Sequence, residues 1–233
     1  MIRPCGALPP LAGLCGAKLE TLFACYRDLP ALAAFYEGEG FFCVTFGGRL
    51  TVCGMPDPEE LASFAAFLGV REIEGEGFAA LPGWSRGGLP LLAYEGAEAP
   101  VPLSETHDLA DAYEILCEAD ETFRAQSDRL PWLSDLRRRT GCGRAAAFLR
   151  GGAAAVVTAQ NASHAVLGAV ACRPGARGRG AASSLVRDVC ASLRACGRTP
   201  VTAAASEALA DWYGRLGFRR AGALALLTRE NEP

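Results

Sequence analysis

One unbroken stretch, residues 165–193, limits the possible folds more than any other part of the chain. It opens with a nearly all-apolar run, 165–172, and passes through Arg173-Pro174-Gly175-Ala176-Arg177-Gly178-Arg179-Gly180. It then continues with Leu185, Val186, Val189, Cys190 and Leu193 at helical core spacing. An apolar run with no polar face reads as a strand buried on both sides and central in its sheet, and the period after the glycines predicts a helix packed against it. A strand that enters a helix through glycines also exposes backbone. With no side chains to block approach, the N–H groups of the first helical turn can face an anion such as a pyrophosphate. Hydrogen bonds to a charged group contribute roughly 1.5–3 kcal/mol each and the helix dipole about 0.3–1 kcal/mol, so the N–H array dominates. Arg177 and Arg179 add long-range attraction.

A glycine pair before a helix is common for steric reasons alone, so its weight depends on the residues downstream of that helix. Residues 200–204 read as a strand, 207–216 as a helix, and Trp212-Tyr213-Gly214-Arg215-Leu216-Gly217-Phe218 closes that second helix. The order V-x-P-x-x-R-G-x-G-x-A, with Cys172 at its first position, followed at this distance by Y-x-x-x-G-F, resembles the GNAT superfamily of N-acetyltransferases. The resemblance covers residues 102–230. A dinucleotide-binding loop is the poorer reading, because Ser183 stands where its third glycine belongs and no acid follows at the expected distance.

The resemblance implies an α/β fold with a mixed, mostly antiparallel sheet flanked by helices, and acetyl-CoA as cosubstrate without a metal. Its R/Q-x-x-G-x-G/A loop maps onto Arg177, Gly178, Arg179, Gly180, Ala181 and Ala182, whose main-chain N–H groups would grip the CoA pyrophosphate. Ala171 and Cys172 end the preceding strand, where the cofactor arm would pass. The family often has Asn seven residues before its tyrosine; Ser206 stands there in this chain. Tyr213 is the expected acid for the departing thiolate, and a phenol with a pKa of about 10 is protonated at neutral pH. The implied chemistry is direct transfer to a primary amine, small-molecule or peptide, rather than through an acetylated Cys172. A non-catalytic CoA-binding protein on the same fold is the alternative.

The first hundred residues carry no second pyrophosphate loop. They read as a helix over 11–36 interrupted near Pro30, a hairpin of 41–46 and 49–53 across Gly47-Gly48, a helix from Pro58 to residue 68 with Asp57 as its cap, and a strand over 70–74. Residues 83–102, rich in Gly and Pro, read as a connection with one short strand at 91–94. The resulting division is an N-terminal α/β domain, 1–95, without a cofactor motif, and a GNAT-like domain, 102–233. Helices over 108–119 and 132–139 and a hairpin of 145–149 and 153–159 across Gly151-Gly152 follow. That hairpin echoes the earlier one, so the N-terminal domain is readable as a degenerate copy.

Composition removes other function classes. Residues 1–133 carry 8 basic and 20 acidic side chains and 134–233 carry 15 and 6, so segments of −12 and +9 hide behind a net charge of −3. The basic segment lacks the interleaved aromatics of a nucleic-acid module, and no nucleic-acid partner is expected. Ten cysteines include no C-x-x-C pair and only two histidines accompany them, which argues against a metal site and for buried thiols in a reducing cell. His164 and His107 read as a strand-end and a pre-helix histidine, and Trp132 and Trp212 as core or pocket-lining residues. No apolar run reaches the roughly 18 residues of a membrane span, and Pro4, Pro9 and Pro10 break the N-terminal apolar segment. A cytoplasmic protein without membrane partners is the expectation.

Overall fold

The hairpin across Gly47-Gly48 is present in the computed structural model, which describes residues 1–77 and 80–230. Residues 78–79 of the N-terminal segment and 231–233 of the C-terminal one lie outside the described residues. Its strands are β3 (Phe41–Phe46) and β4 (Arg49–Gly54), and β1 (Arg3–Pro4) and β2 (Ala33–Gly38) extend the sheet beyond β3. The helix expected over 11–36 is only α1 (Gly13–Tyr26); the rest is β2. After Pro30 the alternation of buried Ala33 and Phe35 with half-buried neighbours suits a strand, and the β3 ladder supplies its hydrogen bonds. Helix α2 (Pro58–Phe67) starts at Asp57, whose carboxylate accepts the Glu60 N–H at 2.9 Å, and β5 (Glu72–Glu76) follows, parallel to β4.

The segment expected to be a connection with a strand only at 91–94 is instead β6 (Trp84–Tyr94), eleven residues long and in the middle of the sheet. Gly87, Gly88 and Pro90 have poor strand propensity. Long-range pairing overrides it: β6 runs antiparallel to β11 (Phe218–Arg229) from Tyr94↔Phe218 to Trp84↔Arg229, with a bulge between Arg220 and Gly222. On its other side lies β10 (Thr199–Ala203), and the Pro90 carbonyl accepts the Ala204 N–H at 2.9 Å.

The C-terminal segment runs α3 (Leu109–Ala119), α4 (Glu121–Gln126), α5 (Arg129–Gly141), β7 (Ala146–Arg150), β8 (Ala153–Gln160), β9 (His164–Cys172), a 3-10 turn (Pro174–Ala176), α6 (Ala181–Ala195), β10, α7 (Glu207–Arg215) and β11. Among the described residues, eleven strands form one sheet in the order β1-β2-β3-β4-β5-β11-β6-β10-β9-β8-β7, and only β4/β5 and β9/β10 are parallel. The mixed, mostly antiparallel sheet is as expected. Outward from the central β11/β6 pair, β5-β4-β3-β2 in one direction match β10-β9-β8-β7 in the other. The last strand of each segment lies beside the other segment's strands. In this order β7–β8 corresponds to β2–β3, so the two Gly-Gly hairpins that echo one another in sequence are offset by one strand.

Helices α2, α6 and α7 cover one face of the sheet, and α1, α3 and α5 the other. Among the described residues no helix is long and apolar enough to cross a membrane.

Candidate active site

The site begins as a defect in the sheet. Strands β9 and β10 pair from His164↔Thr199 to Val166↔Val201 and no further. Against β8 the register of β9 jumps from Leu167↔Val157 to Ala169↔Val156, leaving Gly168 as a bulge residue. A Cβ on Gly168 would lie 2.2 Å from Thr158 Oγ1, so only glycine fits there. Past the bulge the two strands diverge, with the Thr202 hydroxyl donating to the Leu167 carbonyl at 2.8 Å across the neck. The divergence opens a cleft of about 500 Å³. Val170, Cys172, Leu209, Trp212 and Tyr213 line it on the α6/α7 side, and Leu116, Asp120 and Phe123 on the α3 side, so the cleft joins the two faces of the sheet.

The loop after β9 faces a second cavity of about 360 Å³ that shares Cys172, Ala182 and Trp212 with the cleft. Gly178 and Gly180 have φ of +76° and +77°, the left-handed region, and a Cβ on either would project into open space in front of α6. Gly180 is the N-cap and offers no side-chain acceptor. The first backbone bond of the helix runs from the Ser184 N–H to the Gly180 carbonyl at 2.9 Å. The N–H groups of Ala181, Ala182 and Ser183 therefore precede the helical ladder, at the positive end of the dipole and facing the cavity. The Arg177 guanidinium points elsewhere: Nε donates to the Cys172 carbonyl at 3.2 Å and Nη2 to the Ala119 carbonyl at 2.9 Å. Arg179 is exposed.

Tyr213 is 4% exposed, its ring packed 5.0 Å from Phe218 and 4.8 Å from Trp212. It is both a core aromatic and a lining residue of the cleft. Burial pushes its phenol up to about 12, with the neighbouring Thr202 hydroxyl acting in the opposite direction, so at neutral pH it is a proton donor.

A helix N-terminus with bare N–H groups, a sheet split beside it and a protonated tyrosine in the split form one continuous surface. Residues 105–218, which contain all of it, match the Acetyltransferase (GNAT) family. The chain belongs to the GNAT superfamily. Its fold is similar to that of a GCN5-related N-acetyltransferase from Kribbella flavida, at 15% identity and a TM-score of 0.60, covering 94% of this chain and 95% of that one. One from Sphaerobacter thermophilus, at 16% identity and a TM-score of 0.58, covers 100% and 96%. A tandem GNAT protein from the clavulanic acid biosynthesis pathway, at 14% and 0.54, covers 97% and 90%. A search of curated proteins finds no match.

Within this GNAT fold the loop residues Arg177, Gly178, Gly180, Ala181 and Ala182, the strand-end residues Ala171 and Cys172, and Tyr213 all border the two joined cavities. Ser206 does not: its hydroxyl accepts the Leu209 N–H at 3.2 Å and caps α7. His164 lies at the end of β9 away from the loop, with burial lowering its pKa, and His107 is exposed ahead of α3. Trp212 lines the cleft, whereas Trp132 packs against Tyr113 and Phe123. Among the described residues no group of three or more His, Cys, Asp and Glu side chains is placed to hold a metal.

The sequence reasoning missed Gly168, Thr202 and the α3-side wall of Leu116, Asp120 and Phe123. An isolated glycine inside an apolar strand is a signal of a bulge and was legible. The wall carried no such signal, because it depends on how α3 and α4 pack over the sheet.

Proposed function

We propose that this chain transfers the acetyl group of acetyl-CoA to a primary amine by direct attack in a ternary complex. The observation that carries the reading is the continuous path from the bare N–H groups of α6, past Cys172 and Trp212, to Tyr213. Acetyl-CoA supplies an activated thioester carbonyl. In this reading the main-chain N–H groups of residues 178–183 hold its pyrophosphate, and backbone of β9 beyond the Gly168 bulge offers an N–H to the developing negative charge on the carbonyl oxygen. The amine nitrogen bonds to the carbonyl carbon as the C–S bond breaks, and the nitrogen's surplus proton passes to water. Tyr213 holds the proton that the leaving sulfur takes and regains one from water. Cys172 lines the route of the arm and carries no acyl group.

The acceptor in this reading is a small-molecule or peptide amine that enters on the α3 side, where Asp120 supplies the carboxylate of the cleft lining. Nucleic acid and membrane are not partners. Residues 1–95 hold no CoA and complete the sheet through β6. We assign the protein to the cytoplasm, where its ten cysteines remain free thiols.

A turnover screen over amino acids, polyamines, aminoglycosides and peptides, reading release of the CoA thiol, tests the reading. Thiol release with an acetylated amine product supports it. CoA binding without turnover on any acceptor class would replace it with the non-catalytic alternative.

A further inference from the structure

Two arginines at the start of the cofactor loop reach away from the cavity and onto one helix. Arg173 Nη2 donates to Asp111 Oδ1 at 2.6 Å and its Nε to Glu118 Oε2 at 3.2 Å, both on α3, while its own N–H is held by the Gly152 carbonyl at 2.9 Å. Arg177 donates to the Ala119 carbonyl at the end of α3 and, from the same guanidinium, to the Cys172 carbonyl at the end of β9. Immediately after Ala119 the chain turns: the Asp120 carboxylate accepts the N–H groups of Thr122 and Phe123 and so starts α4. Leu116, Asp120 and Phe123 of this corner form the α3-side wall of the cleft.

The loop that would take the pyrophosphate and the wall that would meet the acceptor are thus bolted to each other by side chains whose guanidinium groups donate back into the protein. An arginine fork suits this role, since one planar group can bond two carbonyls or two carboxylates at once. Single exposed ion pairs contribute little. Here three donations from two residues of one loop go to a single helix, two of them at its C-terminal end on Glu118 and the Ala119 carbonyl, so an ordering of the loop is transmitted to a specific place.

We propose that Arg173 and Arg177 are positioning residues that couple the cofactor loop to the acceptor wall, so that CoA binding at the loop also orders the corner at Ala119–Asp120. The inference rests on the CoA reading of the loop. It assigns these arginines a bridging role beyond electrostatic attraction of phosphates, and it places the coupling in their α3 contacts, Asp111 and Glu118 for Arg173 and the Ala119 carbonyl for Arg177.

Amide hydrogen exchange followed by mass spectrometry, with CoA itself as the probe, reads both places in the full chain. Saturating CoA should slow exchange in the loop, residues 174–187, and in the corner, residues 113–126, by about fivefold or more, the lower end of ordinary coupling between sites. In Asp111→Asn/Glu118→Gln, which leaves the loop sequence intact, the loop should stay protected while the corner response falls, carried then by the Arg177 bond to the Ala119 carbonyl alone. Arg173→Gln should reproduce that split and serves if the double variant does not fold. A wild-type corner that ignores CoA while the loop is protected overturns the coupling, as does a corner response undiminished in both variants. No protection in either region would overturn the CoA reading, and this inference with it.

Discussion

The chain builds the same corner twice and finishes it in opposite ways. Strand β4 leads into α2 and on to its parallel partner β5, as β9 leads into α6 and on to β10. At the first corner Asp57 caps the helix with its own carboxylate, and Glu59 and Glu60 fill the first turn with negative charge. At the second, Gly180 caps with backbone alone and the first turn holds no acid. The helix dipole and its orphan N–H groups are present at both. At the first, the chain's own carboxylate takes the Glu60 N–H and the acidic turn repels a phosphate; at the second, no side chain caps the N–H groups. Among the described residues the first segment also passes from β5 to β6 without a counterpart of α7, and so with none in the place of Tyr213. A shared architecture therefore says little about chemistry, which is decided by which side chain stands at a helix start.

The most severe test of this pairing is to separate its halves. A chain beginning at Pro102 lacks both β5 and β6, so β10 loses one neighbour and β11 loses both. It should fail to give a folded protein by circular dichroism and thermal melting. A cooperative melt with full acetyl-CoA binding would show the two corners to be independent. Next, Gly180→Glu places a carboxylate at the second corner, as Asp57 does at the first, and a side chain at positive φ. Loss of two or more charge-assisted hydrogen bonds predicts a fall in CoA affinity of about a hundredfold or more by calorimetry. Unchanged affinity would remove the loop from the cofactor site.

Tyr213→Phe asks whether the second corner's advantage includes an acid. The ring keeps its contacts with Phe218 and Trp212, so CoA affinity and stability should hold while kcat falls about 10²- to 10⁴-fold once an acceptor is in hand. A wild-type rate, measured where chemistry limits turnover, would assign the proton to water or another group. The reciprocal change at the first corner, Asp57→Ala, removes the cap at a cost of about 1 kcal/mol, or a melting temperature lower by about 2–4 °C, and leaves CoA affinity untouched. A change in affinity would mean that the first corner communicates with the second.

The last effect is on the pH dependence of stability. Burial raises the Tyr213 phenol to about 12 in the folded chain, above its ordinary value of about 10. The folded state therefore keeps a proton that the unfolded chain releases, and the stability present below pH 10 is lost as pH rises toward 12. Tyr26 and Tyr94 are raised by burial in the same direction, so the wild type should lose stability across this window and Tyr213→Phe slightly less. Equal alkaline losses in the two proteins would contradict the burial of the hydroxyl.

Much of this was legible one element at a time. The Gly47-Gly48 and Gly151-Gly152 hairpins, the Asp57 cap, the apolar strand of residues 165–172 and the helix after Gly180 all depend on residues close in sequence, and each formed where its pattern lay. The end of β6 at residues 91–94 was legible, but β2 and residues 84–90 of β6 were not; in β6, Gly87, Gly88 and Pro90 acquire strand geometry only from partners far along the chain. The short helix α4 has no buried residue to give it a periodic signal.

By itself the sequence determined that a glycine-capped helix follows a buried strand and that a tyrosine lies one strand and one helix later, because turn preference, capping and backbone exposure are local properties. Only the tertiary structure decided that β6 and β11 trade neighbours, that the sheet splits beyond Gly168, and that Ser206 closes on α7 instead of facing the cleft. Those outcomes are set by which strands find each other and by the 2.2 Å approach that forbids a side chain at Gly168, and pairing between distant segments leaves no periodic trace in either one.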